Sequence, residues 1–411
     1  MARKFLSGNE AFAEGIRLAK PQVISAYPIT PQTIVVERLS EMVEDKSLNA
    51  EFIHVESEHS ALSCAMGASA VGARAFTATS SQGLLYMAEC LTYAAGGRFP
   101  IVMMNANRST ALPWNIYGDQ RDSLSLLDSG WIQAYAENAQ ESLDLALMSY
   151  YIAENSAVST PFMVNLDGFV LTHTYEVVDV PAQEQADAFL PPFETENKID
   201  FDNPKNLAFS AGPAHNDIFK YKEHIGVLNA AGVINKAERK FADIFGRSYT
   251  GLTESYKTED ADYIIITLGS IAGLVKETAD KLRRQGKRVG VLRIRYMRPF
   301  PNDDIARAVK NAKAVAVLEK DISFGNEGTV CTNVKAALQN NAENIPISNF
   351  IGGLGGKNIS KKDIENIFLR LETEEAEVKF IGIGTSRERT EVSGNGAECE
   401  KSQRGRIFLR T

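Results

Sequence analysis

Six short apolar runs, interleaved with helical stretches, constrain the first half of this chain more than anything else in it. The runs are Val23–Ala26, Glu51–Val55, Ala75–Thr79, Ile101–Asn105, Ile132–Tyr135 and Phe162–Asn165. Residues 31–44, 61–71, 84–94 and 142–155 read as helices, and another is expected over 8–20. In the stretch 31–44, Ile34, Val35, Leu39 and Met42 share one helical face, and Pro31 suits its first turn. Strand and helix in alternation impose right-handed crossovers and a parallel sheet. The runs are largely apolar rather than alternating, as strands covered on both faces should be. Their C-terminal ends then share one edge of the sheet, where folds of this kind bind ligands.

From about Tyr175 the character changes. Val180-Pro-Ala and Leu190-Pro-Pro192 are loop signals, and 193–224 holds few apolar runs. Residues 225–246 read as a connecting helix. A second α/β unit opens at Asp262–Gly269 and continues through strands 288–293, 314–318 and 346–351 and helices 271–285, 303–311, 328–340 and 361–370. A chain of 411 residues has room for two or three such units. After Leu371 it turns polar, and 385–406 has little to bury, so order there is not expected without a partner chain. The expected segments are 1–230, a connecting helix and linker over 231–260, a second unit over 261–371 and a polar tail over 372–411.

The formal net charge is -8. The one basic run, Lys281–Arg288, ends a helix before a strand, where the dipole favours cations, so no nucleic-acid surface is expected. No apolar stretch is long enough to span a bilayer, and Met1–Phe5 lacks the apolar core of a signal peptide. Cys64, Cys90, Cys331 and Cys399 form no C-x-x-C, which suits a reduced cytoplasmic chain with no cluster or metal motif of its own.

Two turns stand out on the expected sheet edge: Tyr27-Pro-Ile-Thr-Pro-Gln-Thr33 and Glu56-Ser-Glu-His-Ser-Ala61. The second opens a helix of small residues capped by Ser57. Its acids suit a helix N-terminus, but the flanking Phe52, Ile53, Leu62 and Met66 would hold a carboxylate in apolar surroundings, useful for sharing a proton. His54, Glu56, Glu58 and His59 lack the zincin spacing. Arg108 precedes a loop, Thr110–Gln120, with Trp114 and Tyr117 beside Pro and Gly. These rings are expected to cover a pocket, where Arg108 is either a surface residue or a bidentate grip on a carboxylate. The run Gly352-Gly-Leu-Gly-Gly356-Lys-Asn fails the Walker A pattern at both ends, and a tight strand-to-helix turn accounts for it.

These motifs occur in a specific series: Tyr27-Pro-Ile-Thr-Pro, Glu56-Ser-Glu-His-Ser-Ala-Leu, Thr77-Ala-Thr-Ser-Ser-Gln-Gly-Leu, Asn105-Ala-Asn-Arg108, Asp119-Gln-Arg-Asp122-Ser, Gly130-Trp-Ile-Gln, Leu166-Asp-Gly-Phe and Thr172-His. The series resembles the α subunit of 2-oxoacid:ferredoxin oxidoreductases, of the pyruvate type. The likeness runs from about Phe5 to Leu371, with Ile244–Tyr249 and Arg298-Pro-Phe-Pro301 supporting it in the second unit.

The resemblance implies a pyrimidine-type thiamine-diphosphate-binding α/β domain followed by a transketolase C-terminal-like α/β domain. It implies that thiamine diphosphate is shared with a β subunit, which holds its diphosphate, the Mg²⁺ and a [4Fe-4S] cluster. Further γ and δ-type subunits, ferredoxin as acceptor and coenzyme A as co-substrate complete the picture. Glu58 matches the glutamate that bonds the pyrimidine ring, Thr30 the threonine beside the substrate, and Arg108 the arginine near its carboxylate. Pro28 and Gln82 are expected on the cofactor side and Asn115 on the substrate side. The loop 110–119 resembles a mobile active-site loop. In an oxalate-using relative an Arg stands at the Thr30 position and an acid near Ala111; with neither here, a dicarboxylate substrate is not expected. Pyruvate is favoured. Phenylglyoxylate with NAD as acceptor, a non-catalytic scaffold subunit, and an ordinary NAD-dependent Rossmann enzyme are the alternatives. The last lacks a G-x-G-x-x-G after the first strand.

Overall fold

The interleaving of strands and helices is borne out in the computed structural model, which describes residues 2–204, 206–207, 210–339, 345–373 and 376–383. The first unit comprises β1 (Ala2–Ser7), α1 (Gly8–Ala19), β2 (Val23–Ala26), α2 (Thr33–Glu44), β3 (Glu51–His54), α3 (Glu58–Ala70), β4 (Ala75–Thr79), α4 (Ser81–Tyr86), α5 (Ala88–Gly96), β5 (Val102–Asn107), α6 (Arg121–Leu124), β6 (Ile132–Tyr135), α7 (Ala139–Ala153), β7 (Phe162–Asp167), β8 (Tyr175–Val180), α8 (Gln183–Phe189) and α9 (Pro213–Phe245). The second comprises β9 (Thr253–Tyr256), β10 (Tyr263–Leu268), α10 (Ile271–Arg284), β11 (Val289–Ile294), β12 (Tyr296–Arg298), α11 (Asn302–Val309), β13 (Ala314–Glu319), α12 (Thr329–Leu338), β14 (Ile347–Ile351), α13 (Lys361–Thr373) and β15 (Val378–Phe380).

Seven strands form the first sheet in the order β12-β6-β7-β5-β4-β2-β3. All are parallel except β12, which runs antiparallel to β6. The central strands β4, β5 and β7 are buried along their whole length, which is why they carry no alternation. Six strands form the second sheet, β15-β14-β13-β10-β11-β9, parallel except at β9. No helix among the described residues is long and apolar enough to cross a membrane.

Several expectations need correction. The single helix expected over 84–94 is two, α4 and α5, meeting at Met87, and α4 starts at Ser81. The connecting helix starts at Pro213 rather than 225; its first ten residues are exposed, with Ile218, Phe219 and Tyr221 facing solvent, so no buried apolar stripe marks them. Neither β1 nor β8 was expected, and they pair antiparallel with each other. Within the stretch read as a polar tail, β15 adds an edge strand to the second sheet. The reading of 385–406 lies outside the described residues.

The short β12 joins the two units. The chain leaves the second sheet at Ile294 and, two residues on, enters the first sheet as Tyr296 pairs with Ala134. The crossing is ionic and buried. Arg295, 1% exposed, donates through Nε to Glu141 of α7 at 2.8 Å, and its Nη1 bonds Gly251 O at 2.6 Å and the Glu238 carboxylate of α9. Arg293 donates to the other Glu141 oxygen at 2.6 Å and to Glu254 at 2.7 Å. Burial alone would push the Glu141 carboxyl up, but the field of Arg293 and Arg295 outweighs it and holds it at about 2. With the folded value below the unfolded one, this contribution to stability is complete above about pH 4.5 and is lost as the pH falls towards 2. Glu141→Gln is therefore expected to lower unfolding free energy at pH 7 by about 3 kcal/mol, the gap closing in acid. Denaturant titrations of both proteins at pH 7 and pH 3 check this.

Candidate active site

Because β2, β3, β4 and β5 are parallel, the turns that follow them line one edge in sheet order. Arg108 follows β5, Ser81–Gly83 follow β4, Thr30 follows β2 and Glu58 follows β3. The turn after β2 is pinned from below. Gln32, fully buried, donates from Nε2 to Tyr27 O at 3.1 Å and Ala78 O at 2.9 Å, and Asn9 donates to Pro31 O at 2.8 Å. Pro28 and Thr30 are left exposed at its tip.

Glu58 is the first residue of α3. Ser57 caps that helix by accepting the Ser60 N–H at 3.2 Å, which turns Glu58 back towards the edge. The Glu58 side chain is 8% exposed and bonds none of the described residues. Gly83 lies against it. A Cβ at Gly83 would fall 2.5 Å from Glu58 Oε1 and 2.7 Å from Thr79 Oγ1, a buried hydroxyl that likewise has no partner among the described residues. Glu56 is exposed and accepts from Ser60 Oγ. His59 turns to Cys90, with Nε2 3.4 Å from Sγ. Gln82 is half-buried, and its Oε1 is 2.6 Å from Ser81 Oγ.

Arg108 is 6% exposed, not a surface residue. Its Nη1 donates to Thr30 O at 2.9 Å, its Nε to Asn115 O at 3.2 Å, and its guanidinium carbon lies 5.5 Å from the Trp114 ring centre. A side-on grip through Nε is thus taken, and what remains for a carboxylate is the end formed by Nη1 and Nη2. Trp114 is 65% exposed, so it covers Arg108 rather than an enclosed pocket. Asn115 is committed on both sides: Oδ1 accepts Ser109 Oγ at 3.1 Å and the Tyr117 N–H at 2.6 Å, while Nδ2 donates to Gly355 O at 3.0 Å. That last bond reaches into the glycine run of the second unit. Gly353, Gly355 and Gly356 there have φ of 73°, 59° and 80°, and the Gly355 N–H is 2.9 Å from Asp119 Oδ2. The run is a seat for the loop 109–119.

The centre of the edge is a residue with no role assigned from sequence, Asp122. It is fully buried and accepts from Asn107 Nδ2 at 2.7 Å, Ser123 N at 2.8 Å, Arg108 N and Ser81 N at 3.1 Å each, and Asn105 Nδ2 at 3.3 Å. Burial pushes its carboxyl up to about 6 against those donors. A polar residue in a polar loop carries no signal that it will be buried; only its place in the Asp119–Ser123 motif hinted at a function.

Comparison with known proteins decides the family. Residues 14–239, more than half of the chain, match the pyruvate flavodoxin/ferredoxin oxidoreductase, thiamine diphosphate-binding family. The chain belongs to this family. Residues 261–364 match the pyruvate:ferredoxin oxidoreductase core domain II. The pyruvate synthase subunit PorA of Methanothermobacter thermautotrophicus is 46% identical over 93% of this chain and 99% of its own length. PorA of Pyrococcus furiosus is 47% identical over 88% and 92%, and the ketoisovalerate oxidoreductase subunit VorA of Pyrococcus abyssi 44% over 89% and 92%. Among solved structures, a 2-oxoglutarate:ferredoxin oxidoreductase from Magnetococcus marinus superposes with a TM-score of 0.68 at 21% identity, over 90% of this chain and 65% of that one. A split-gene transketolase gives 0.52 at 12% identity, over 90% of this chain and all of that one. These two likenesses show a shared α/β architecture.

The edge fits thiamine diphosphate. A nearly buried carboxylate without a protein partner, and a glycine whose missing side chain leaves room beside it, are what a ring nitrogen needs. Gly83→Ala inserts a methyl group into that space, an overpacking that costs about 1–3 kcal/mol if the surroundings cannot give. The variant is expected to assemble and to bind thiamine diphosphate at least tenfold more weakly, measured by calorimetric titration of the complex; an unchanged dissociation constant would detach Gly83 from the cofactor.

Proposed function

We propose that this chain is the α subunit of a cytoplasmic, thiamine-diphosphate-dependent, coenzyme A-acylating 2-oxoacid oxidoreductase whose substrate is pyruvate. The observation that carries the reading is the pairing, on one sheet edge, of an unpartnered buried carboxylate, Glu58, with a buried arginine, Arg108. The relatives named as pyruvate synthase subunits support the substrate. Their names as subunits support partner chains; in this reading these are a β-type subunit for the diphosphate, Mg²⁺ and a [4Fe-4S] cluster, and γ and δ-type subunits, with ferredoxin as acceptor.

In this reading Glu58 holds a proton at a ring nitrogen of the cofactor, with Pro28 and Gln82 bordering the ring. Bound thiamine diphosphate supplies the carbon nucleophile and electron sink that decarboxylation needs. Arg108 presents its Nη end to the 2-oxoacid carboxylate, and Thr30 stands beside the substrate on the carbonyl that steadies Arg108. Asn115 serves the substrate side by fixing the loop. The scaffold alternative has no support from a chain in which Glu58, Thr30 and Arg108 are all in place. The aromatic alternative is weakened by Trp114, which stacks on Arg108 and faces outward.

Glu58→Gln is expected to preserve assembly and to abolish most exchange of the cofactor's C2 proton, read by NMR; near-normal exchange would sink the role of Glu58. Arg108→Ala removes a charged hydrogen bond worth about 1.5–3 kcal/mol and should lower kcat/KM by roughly one to two orders of magnitude. Dye-reduction assays of the purified complex with coenzyme A and pyruvate, 2-oxoisovalerate, phenylglyoxylate or 2-oxoglutarate test the substrate. Pyruvate should give the highest kcat/KM, and a preference for 2-oxoisovalerate would transfer the chain to the VorA-like group.

A further inference from the structure

We propose that Asp122 is the positioning residue of this site, holding Arg108 and the Ser81–Gly83 turn in register so that the substrate and cofactor sides are set by one carboxylate. The proposal rests on the roles given above to Arg108 and Glu58. Each oxygen of Asp122 is spoken for. Oδ2 takes the Ser81 and Arg108 backbone N–H groups at 3.1 Å and Asn105 Nδ2 at 3.3 Å; Oδ1 takes Asn107 Nδ2 at 2.7 Å and Ser123 N at 2.8 Å. All five donors are neutral amides, drawn from β5 and its end, the start of α4, and α6.

Ser81 makes the coupling specific. It sits at φ 52°, in the left-handed region that a side chain disfavours, at the start of the helix that carries Gly83. Its N–H is fixed on Asp122, and its hydroxyl reaches Ser109 O at 2.7 Å, tying the β4 turn to the residue after Arg108. Releasing Ser81 lets α4 relax, and Gly83 then no longer keeps its place against the Glu58 carboxylate. Releasing the Arg108 N–H frees the start of the loop that orients its guanidinium. An asparagine cannot replace the acid, because either orientation of its amide turns an NH₂ towards two or three N–H donors.

The test uses the whole complex carrying Asp122→Asn. Hydrogen–deuterium exchange at the Ser81 and Arg108 amides should speed up at least tenfold. The dissociation constant for thiamine diphosphate and the KM for pyruvate should both rise about tenfold or more. Arg108→Ala should raise KM alone, and Gly83→Ala should weaken cofactor binding alone. Adding Ser81→Gly to Asp122→Asn supplies a residue that accepts φ 52° without the hold; it should restore cofactor affinity while KM stays high. If Asp122→Asn does not assemble, Asp122→Glu keeps the charge one methylene out of place and should show the same paired rise. A fall in thermal stability with both constants unchanged, or a double variant that recovers neither constant or both together, would overturn the proposal. If Arg108→Ala leaves KM unchanged, it is the role of Arg108 that fails, and the amide exchange still reports on Asp122.

Discussion

The edge that forms this site is both polar and buried, and every polar group placed there must find a partner or be left at a cost of a few kcal/mol. A parallel sheet cannot satisfy its own C-terminal edge, so the partners come from elsewhere. At the end of β7, Asp167 accepts the Ser270 N–H at 2.8 Å and its hydroxyl at 2.5 Å, Gln120 Nε2 at 3.0 Å and Lys320 Nζ at 3.2 Å. Ser270 and Lys320 belong to the ends of β10 and β13. Burial would raise the Asp167 carboxyl, yet Lys320 and the Ser270 donors outweigh it and hold it below the usual range. The second unit thus caps the first by supplying the charge and donors that its edge lacks.

The two sheets consequently meet with their C-terminal edges facing. The Gln120 N–H donates to Lys320 O at 2.9 Å, Gly355 accepts from Asn115 and donates to Asp119, and Tyr117 packs where a Cβ on Gly356 would stand, 2.4 Å from its own. The base of the loop 109–119 is held by these contacts. Its apolar tip is not: Leu112 is 86% exposed. A loop anchored at both ends and open at its tip can change what it covers without losing its hold on Arg108, whose Nε bond is to the anchored Asn115.

What was legible in the sequence follows from what each element buries. Most runs of the first sheet were readable because burial on both faces favours apolar residues, β4, β5, β6 and β7 being buried throughout; β3, at the sheet's edge, is largely exposed and contrary to that expectation. The ribbon of β1 and β8 was not readable: β1 is exposed over Ala2–Phe5, and neither strand belongs to a larger sheet. β12 is three residues long and takes its partner from the other unit, so no local pattern marks it. In the site, the roles proposed for Glu58, Thr30 and Arg108 come from the family resemblance; the residues alone offered an acidic helix start and an arginine before an aromatic loop. Asp122, Ser81 and Gly83 were not legible, since their importance lies in contacts among turns 14 to 41 residues apart. The glycine run was read as a tight turn; its positive φ values agree with that, while its bond to Asp119 could not be foreseen.

The likeness to a transketolase at 12% identity bears on where the chemistry can reside. Two sheets joined in this way are an architecture that different reactions can share. Whatever distinguishes this chain must therefore lie in side chains that the architecture does not itself require. Glu141, Arg293 and Arg295 bind the units together and could serve any reaction. A buried guanidinium held by backbone carbonyls, as Arg108 is by those of Thr30 and Asn115, costs stability rather than adding to it. Burial lowers the pKa of Arg108 from its ordinary value, opposed by the charge of Asp122 nearby. Asp122 accepts from the Arg108 backbone and not from its side chain, so the guanidinium is held by carbonyl oxygens and a ring face and by no carboxylate among the described residues.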